Sequence, residues 1–199
     1  EELIEAFERA KDISNRVIIE KYLSGSDYRM LVVNGKFVAA AKRLPAKVIG
    51  DGQHSIAELI DIENQNPDRG FGHENVMTRL QVSSVTEQLL EKSGYTMDSV
   101  LQAEETFYLE LTANLSTGGS DEDVTDRVHK ANRFMAERIA KIIGLDIAGI
   151  DVMAPTLGQP ITKVGGAVIE VNAAPGLRMH LAPANGKARN VAKPIIDML

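Results

Sequence analysis

Glu170 and Asn172 stand two residues apart in the run Ala167-Val168-Ile169-Glu170-Val171-Asn172. In a strand that spacing puts both side chains on one face, within reach of a common ion, while Ile169 and Val171 point the other way into a core. A third acid, Asp151, interrupts an equally apolar run from Ile147 to Met153. If the two strands pair, Asp151 can join the other two. Two carboxylates and an amide carbonyl are hard oxygen donors suited to Mg²⁺, which also keeps phosphate oxygens and waters. Spacing alone is served as well by ordinary solvated positions on a half-exposed sheet. The company of these residues favours a site: acids bracketed by Ile and Val need a reason to be there. Asn172-Ala173-Ala174-Pro175-Gly176 then turns sharply, as if ending a strand at that site.

Further polar groups lie in three places. Arg suits bidentate recognition of oxyanions and its charge is fixed, so Lys42 or Arg43 can face a phosphate or carboxylate. Either also reads as an edge-strand charge that discourages aggregation. Ser116, Thr117, Gly118 and Gly119 form a loop with free amides and hydroxyls, able to hold an anion or to be a plain surface turn. Arg178 and His180 follow the Pro175-Gly176 turn and can bind a carboxylate or simply be solvated. His54, His73 and His129 show no ligand spacing and are assigned no metal.

These groups need elements to carry them. Asn34-Gly35 between two apolar runs signals a hairpin, because both turn positions need positive φ. A two-residue loop sets Val33 against Lys36, Leu31 against Val38, Arg29 against Ala40 and Asp27 against Lys42. Asp27, Arg29, Ala40 and Lys42 are then expected on one face, with Tyr28, Ala41 and Arg43 on the other. A slip of one residue reverses the assignment. On this register Asp27 serves as a cross-strand partner of Lys42. Val17 to Tyr22 and Phe107 to Asn114 read as strands. Ser55 with Glu58 three residues on is a capping-box pattern, and Pro67-Asp68-Arg69-Gly70 closes that segment. Val82 to Ser93 reads as a helix stopped by Gly94. Asp126 to Ile143 is the clearest helix, with a stripe of Val128, Ala131, Met135, Ile139 and Ile142 stopped at Gly144. Helices mixed with antiparallel hairpins give an α+β fold.

The 199 residues are 44% hydrophobic and 25% charged, enough for a sizeable core, and carry a net charge of −6. A nucleic-acid binder usually shows a basic excess, so no nucleic-acid partner is expected. No apolar run is long enough to span a membrane, and no membrane partner is expected. With no cysteine, disulfides, thiol nucleophiles and cysteine metal sites are excluded, which fits a reducing cytoplasm. Neither a Gly-x-Ser-x-Gly elbow nor a Gly-Lys-Ser/Thr phosphate loop is present. Glu1 opens inside a helical pattern and the chain stops on apolar residues, as expected of part of something longer.

Together the blocks Asn114-Leu115-Ser116-Thr117-Gly118-Gly119, Leu145 to Asp151 and Glu170-Val171-Asn172-Ala173-Ala174-Pro175-Gly176 resemble the ATP-grasp ligases. Within them, the combination is similar to the ATP-grasp domain of the cyanophycin synthetases. The resemblance implies an ATP-grasp-like mixed or antiparallel sheet with flanking helices. Residues 1–199 would be a partial ATP-grasp domain of a longer multidomain ligase, lacking the amino-terminal half of the unit and inactive when isolated. It implies ATP and Mg²⁺ as cofactors, with Mg²⁺ on Asp151, Glu170 and Asn172. Glu20, Lys21 and Leu23 would meet the adenine on a strand, and Asp27 the ribose. Arg43, favoured over Lys42, and Arg178 would act in catalysis, with Ser116, Thr117, Gly118, Gly119 and His180 on substrate. The implied reaction phosphorylates a carboxylate and lets an amine attack the acyl phosphate. The implied partners are an amino acid and a growing peptide polymer, in a homo-oligomer of the intact protein. A peptide-forming ligase of the glutathione or D-alanine–D-alanine type, or a non-catalytic nucleotide-binding module, are the alternatives. Glu110 stands where the resemblance leads one to expect a basic residue, which leaves the amino-acid substrate open.

Overall fold

The computed structural model describes residues 2–71 and 75–198; His73 lies outside them. Helix α1 (Glu2–Ile13) leads into an irregular segment and then the hairpin β1 (Ser26–Val33) and β2 (Lys36–Leu44). A short strand β3 (Lys47–Ile49), α2 (Ile56–Asn64), β4 (Arg69–Gly70), β5 (Met77–Thr78), α3 (Ser84–Ser93) and β6 (Thr106–Tyr108) follow. The chain then returns through β7 (Ser120–Asp123), α4 (Lys130–Ile143), β8 (Ile147–Ala154), β9 (Ala167–Asn172), α5 (Arg178–Leu181) and α6 (Ala192–Ile196).

The main sheet has the order β7-β2-β1-β8-β9, and each neighbouring pair is antiparallel. β1 lies at its centre and is buried on both faces, which is why its sequence is almost continuously apolar. On one face, Tyr28, Met30, Val32, Ile150 and Val152 pack with Ala136 and Ala140 of α4. On the other, Leu31, Val33 and Ala39 pack with Val191, and with Leu177 and Ile195 at their margin. A second core, holding Val48, Ile56, Leu59, Leu90, Leu101 and Phe107, belongs to the module inserted between β2 and β7.

The capping box of α2 forms as expected. Ser55 Oγ accepts the Glu58 amide at 3.3 Å, and a Glu58 oxygen accepts the Ser55 amide at 2.8 Å. Ser55→Ala is expected to cost about 1 kcal/mol, seen as a fall of roughly 2–4 °C in the thermal midpoint. An unchanged midpoint would show that α2 is held by its packing alone.

Four expectations are corrected. The hairpin turn forms, but a β-bulge interrupts the register between Leu31 and Val32, so Asp27 faces Arg43 and Tyr28 faces Lys42. Leu31 pairs with Ala39 and Val32 with Phe37, leaving Val38 as the extra residue. Residues 17–22 form no strand: both edges of β1 are taken by β2 and β8, and Ile18 and Tyr22 are 82% and 89% exposed. The Phe107–Asn114 strand shrinks to β6, which finds a partner only along β3. α4 starts at Lys130, after a 3₁₀ turn at Thr125–Arg127, because His129 caps it through a 3.1 Å bond from the Ala131 amide to Nδ1. Its buried face runs through Asn132, Ala136 and Ala140, and Ile142 is exposed.

Candidate functional site

The bulge in β2 builds the site. It carries Arg43 to the face of β1 that holds Asp27 and Arg29, and β8 adds Asp151 directly opposite Arg29. Arg29 Nε and Nη2 donate to the two Asp151 oxygens, the latter at 3.0 Å. Arg43 Nε and Nη2 donate to Asp27 Oδ1 at 2.9 and 2.6 Å, and Nη2 also reaches Asp151 Oδ2 at 2.9 Å. Burial pushes the Asp27 carboxyl up, and Arg43 only partly opposes it. Burial works against the Arg43 charge too, but Asp27 and Asp151 together raise it further. Lys42 points to the opposite face, beside Tyr28 and Arg127.

β9 completes the face. Glu170 lies opposite Asp151 and Asn172 opposite Gly149, so the three expected metal donors do share one side of the sheet. A second bulge, at Ile169, turns that side chain out of the core, where it was expected, leaving it exposed. Glu170 is exposed, and the Asn172 amide nitrogen is buried without a partner. Among the described residues no three acidic, histidine or cysteine groups form a metal cluster. Two carboxylates and one amide fit Mg²⁺ only when phosphate oxygens and water fill the remaining positions, the usual case for that ion.

A cleft of about 310 Å³ opens over Asp27, Arg29, Arg43, Asp151 and Glu170. A neighbouring one of about 370 Å³ shares Asp27 and Arg43 and is walled by Leu44, Tyr108, Leu111 and Met153. A larger cleft between the hairpin turn and α4 gathers no such cluster.

Other expected site residues sit elsewhere. Glu20 and Lys21 are exposed on the unpaired segment and Leu23 is half-buried there; none lines either cleft. The Ser116–Gly119 loop is not a cradle of free amides. It is a 3₁₀ turn in which the amides of Thr117 and Gly119 donate to Asn114 O and that of Gly118 to Leu115 O. Arg178 Nη1 donates to Asn75 O at 2.9 Å. His180 is 2% exposed, and its Nε2 is buried without a partner. His54 pairs with Asp51, and Glu110 accepts from Ser83 Oγ at 2.7 Å. Arg29 was missed. Its signal was the one that exposed Asp151: a charge set inside an apolar strand.

Asp121 and His180 give a test of burial. Burial pushes Asp121 up to about 6, which a 2.9 Å bond from the Ala184 amide only moderates. Burial pulls His180 down to about 4, with Arg29 adding to it. A carboxyl with a raised folded value stabilises the fold below its unfolded value, and that stability is lost as pH rises through the folded one. Charged Asp121 therefore costs stability at pH 7, whereas neutral His180 withdraws stability as pH falls toward 4. Asp121→Asn is expected to be more stable than wild type by about 2 kcal/mol at pH 7, with the advantage gone by pH 4. Urea unfolding at the two pH values checks it; a pH-independent difference would refute it.

The model of the RimK-like ATP-grasp domain matches residues 97–199, which include β7, β8 and β9. The chain belongs to the RimK-like ATP-grasp family. Among relatives of this ATP-grasp domain, it is 55% identical to the cyanophycin synthetase of Crocosphaera subtropica over 98% of this chain, and 52% identical to that of Synechocystis over all of it. It is 34% identical to the glutathione biosynthesis bifunctional protein of Pasteurella multocida. The crystal structure of a bifunctional glutathione synthetase from Pasteurella multocida superposes with a TM-score of 0.76 over 89% of this chain and 24% of that one, at 34% identity. The chain spans 23% of the length of either cyanophycin synthetase. The ATP-grasp fold is thus established, and no helix among the described residues is long and apolar enough to cross a membrane.

Proposed function

We propose that this ATP-grasp domain serves an ATP-dependent carboxylate–amine ligase that adds L-aspartate to the C-terminal carboxylate of a poly-aspartate backbone through an acyl phosphate. The carrying observation is the shared face of Asp151, Glu170 and Asn172 beside the buried Arg29 and the half-buried Arg43, in a chain 55% identical to a cyanophycin synthetase. Asp151, Glu170 and Asn172 would hold Mg²⁺, which when bound offsets phosphate charge during phosphoryl transfer. Arg43 presents a fixed charge at the junction of the two clefts, suited to a phosphate or the reacting carboxylate. Arg29 holds Asp151 in place. Asp27 can accept from ribose hydroxyls once Arg43 shares its charge with the nucleotide. The hydrophobic wall of Leu44, Leu111 and Met153 suits a planar base.

The reading extends to a homo-oligomer of the intact protein in the cytoplasm, with the isolated domain inactive. The 34% identity to a glutathione biosynthesis protein supports glutathione-type ligation as the second reading. The test is ADP release from Mg-ATP by the protein carrying this domain. A requirement for both L-aspartate and an aspartate–arginine primer supports backbone extension. Release that instead needs γ-glutamylcysteine and glycine favours the second reading. Bound Mg-ATP with no release on either pair rejects both.

A further inference from the structure

We propose that Gly149 is a positioning residue of the metal site: its missing side chain lets Pro175 seat on β8, and that contact keeps the Asn172 amide in place for Mg²⁺. The proposal rests on the ligase reading and concerns what holds the donors still.

The donors are not held alike. Asp151 is gripped by Arg29 and Arg43. Among the described residues no hydrogen bond reaches the Asn172 side chain, whose Nδ2 is buried without a partner. Packing must fix that amide instead. β9 ends at Asn172, and the chain then turns so that Pro175 lies over Gly149, the residue directly across from Asn172. Beyond the turn, Leu177 packs at the margin of the core of Leu31, Val33 and Ala39. Residues 173–176 thus form a strap that runs from the donor, across Gly149, to that core.

Gly149 makes room for the strap. It is buried, and it is not among the glycines of positive φ, so any residue could adopt its backbone conformation. A glycine inside a strand weakens it and often marks a close approach. A β-carbon on Gly149 would stand 2.5 Å from Pro175 Cβ, 3.1 Å from Arg29 Cδ and 3.3 Å from Arg29 Nη1. Carbon atoms in contact sit about 3.5–4.0 Å apart, so Pro175 would have to retreat by about 1 Å, whereas the flexible arginine need give far less. One absent methyl therefore serves two donors. It leaves space for the arginine that grips Asp151 and for the strap that steadies Asn172.

Calorimetric titration of ATP with and without Mg²⁺, on the protein carrying this domain, tests this beside the thermal midpoint. Changing residues that orient metal ligands typically costs about 10–100-fold in metal affinity. Gly149→Ala is expected to cut the Mg²⁺-dependent strengthening of ATP binding at least about tenfold. Pro175→Gly removes the carbon that the new methyl would strike, and alone it should cost less. The two changes together should cost about what Pro175→Gly costs, because the clash is gone. Wild-type Mg²⁺ dependence in Gly149→Ala, even with a lowered midpoint, overturns the proposal, and so do losses that multiply in the double variant. If Gly149→Ala does not fold, the double variant decides. Restored folding with the Mg²⁺ dependence of Pro175→Gly supports the proposal; continued failure to fold places the clash elsewhere and overturns it. Wild-type protein whose ATP affinity ignores Mg²⁺ removes the metal reading and this role with it. Dependence that persists in Gly149→Ala removes this role alone.

Discussion

Asp151→Asn is expected to lower the thermal midpoint by roughly 10 °C. Among the described residues the Asp151 carboxylate alone pairs with both Arg29 and Arg43, and its side chain and that of Arg29 are each 9% exposed. Asparagine keeps the shape but removes the charge, leaving Arg29 without an ionic partner in the interior. Breaking a buried pair by removing one partner costs about 3–5 kcal/mol, because the remaining charge stays desolvated. At roughly 2–4 °C per kcal/mol for a chain of this size, the fall is easily measured by circular dichroism. The surface pair Lys193–Asp197 supplies the contrast, since both side chains are more than half exposed. Lys193→Ala should shift the midpoint by less than about 2 °C. Similar shifts for the two variants would mean that water reaches the Asp151 network and that it adds little to the fold.

That network also marks the limit of what the sequence discloses. Asn34-Gly35 announces the hairpin, and the alternation of Glu170 and Asn172 announces their common face, because a turn type and a two-residue period are local properties. The β-bulges are not local. Nothing in Val38 or Ile169 distinguishes a residue that will lie outside the ladder, yet each bulge reverses the facing of every side chain beyond it. Arg43 reaches the site only because of the first bulge; on an uninterrupted register Lys42 would stand there. The missing strand at 17–22 fails for a related reason. Ile18 and Ile19 have strand propensity, but propensity needs a partner edge, and β1 has none to spare. His180 reads as a loop residue after Pro175-Gly176, while the tertiary fold buries it under the sheet. The blocks that carry the family resemblance include the two strands whose facing decides the site.

Glu170→Gln is expected to separate stability from function. Glu170 is exposed, has no hydrogen bond or ion pair among the described residues, and lies directly across from another carboxylate. Like charges in a direct cross-strand pair repel, so neutralising Glu170 should leave the midpoint unchanged or raise it by about 1 °C. If Glu170 is a donor to Mg²⁺, the same change removes one of two carboxylates from a site that otherwise relies on Asp151, already shared between two guanidinium groups. Mg²⁺-dependent strengthening of ATP binding should then fall at least tenfold, and ADP release by about a hundredfold or more, a loss of roughly 3 kcal/mol in the transition state. A residue that merely decorates the sheet surface would move neither quantity. Asp151→Asn cannot make this distinction, because its effect on the fold would hide its effect on the metal. Calorimetric titration of ATP with and without Mg²⁺, on wild type and Glu170→Gln at matched stability, decides the assignment, and wild-type Mg²⁺ dependence in the variant would remove Glu170 from the site.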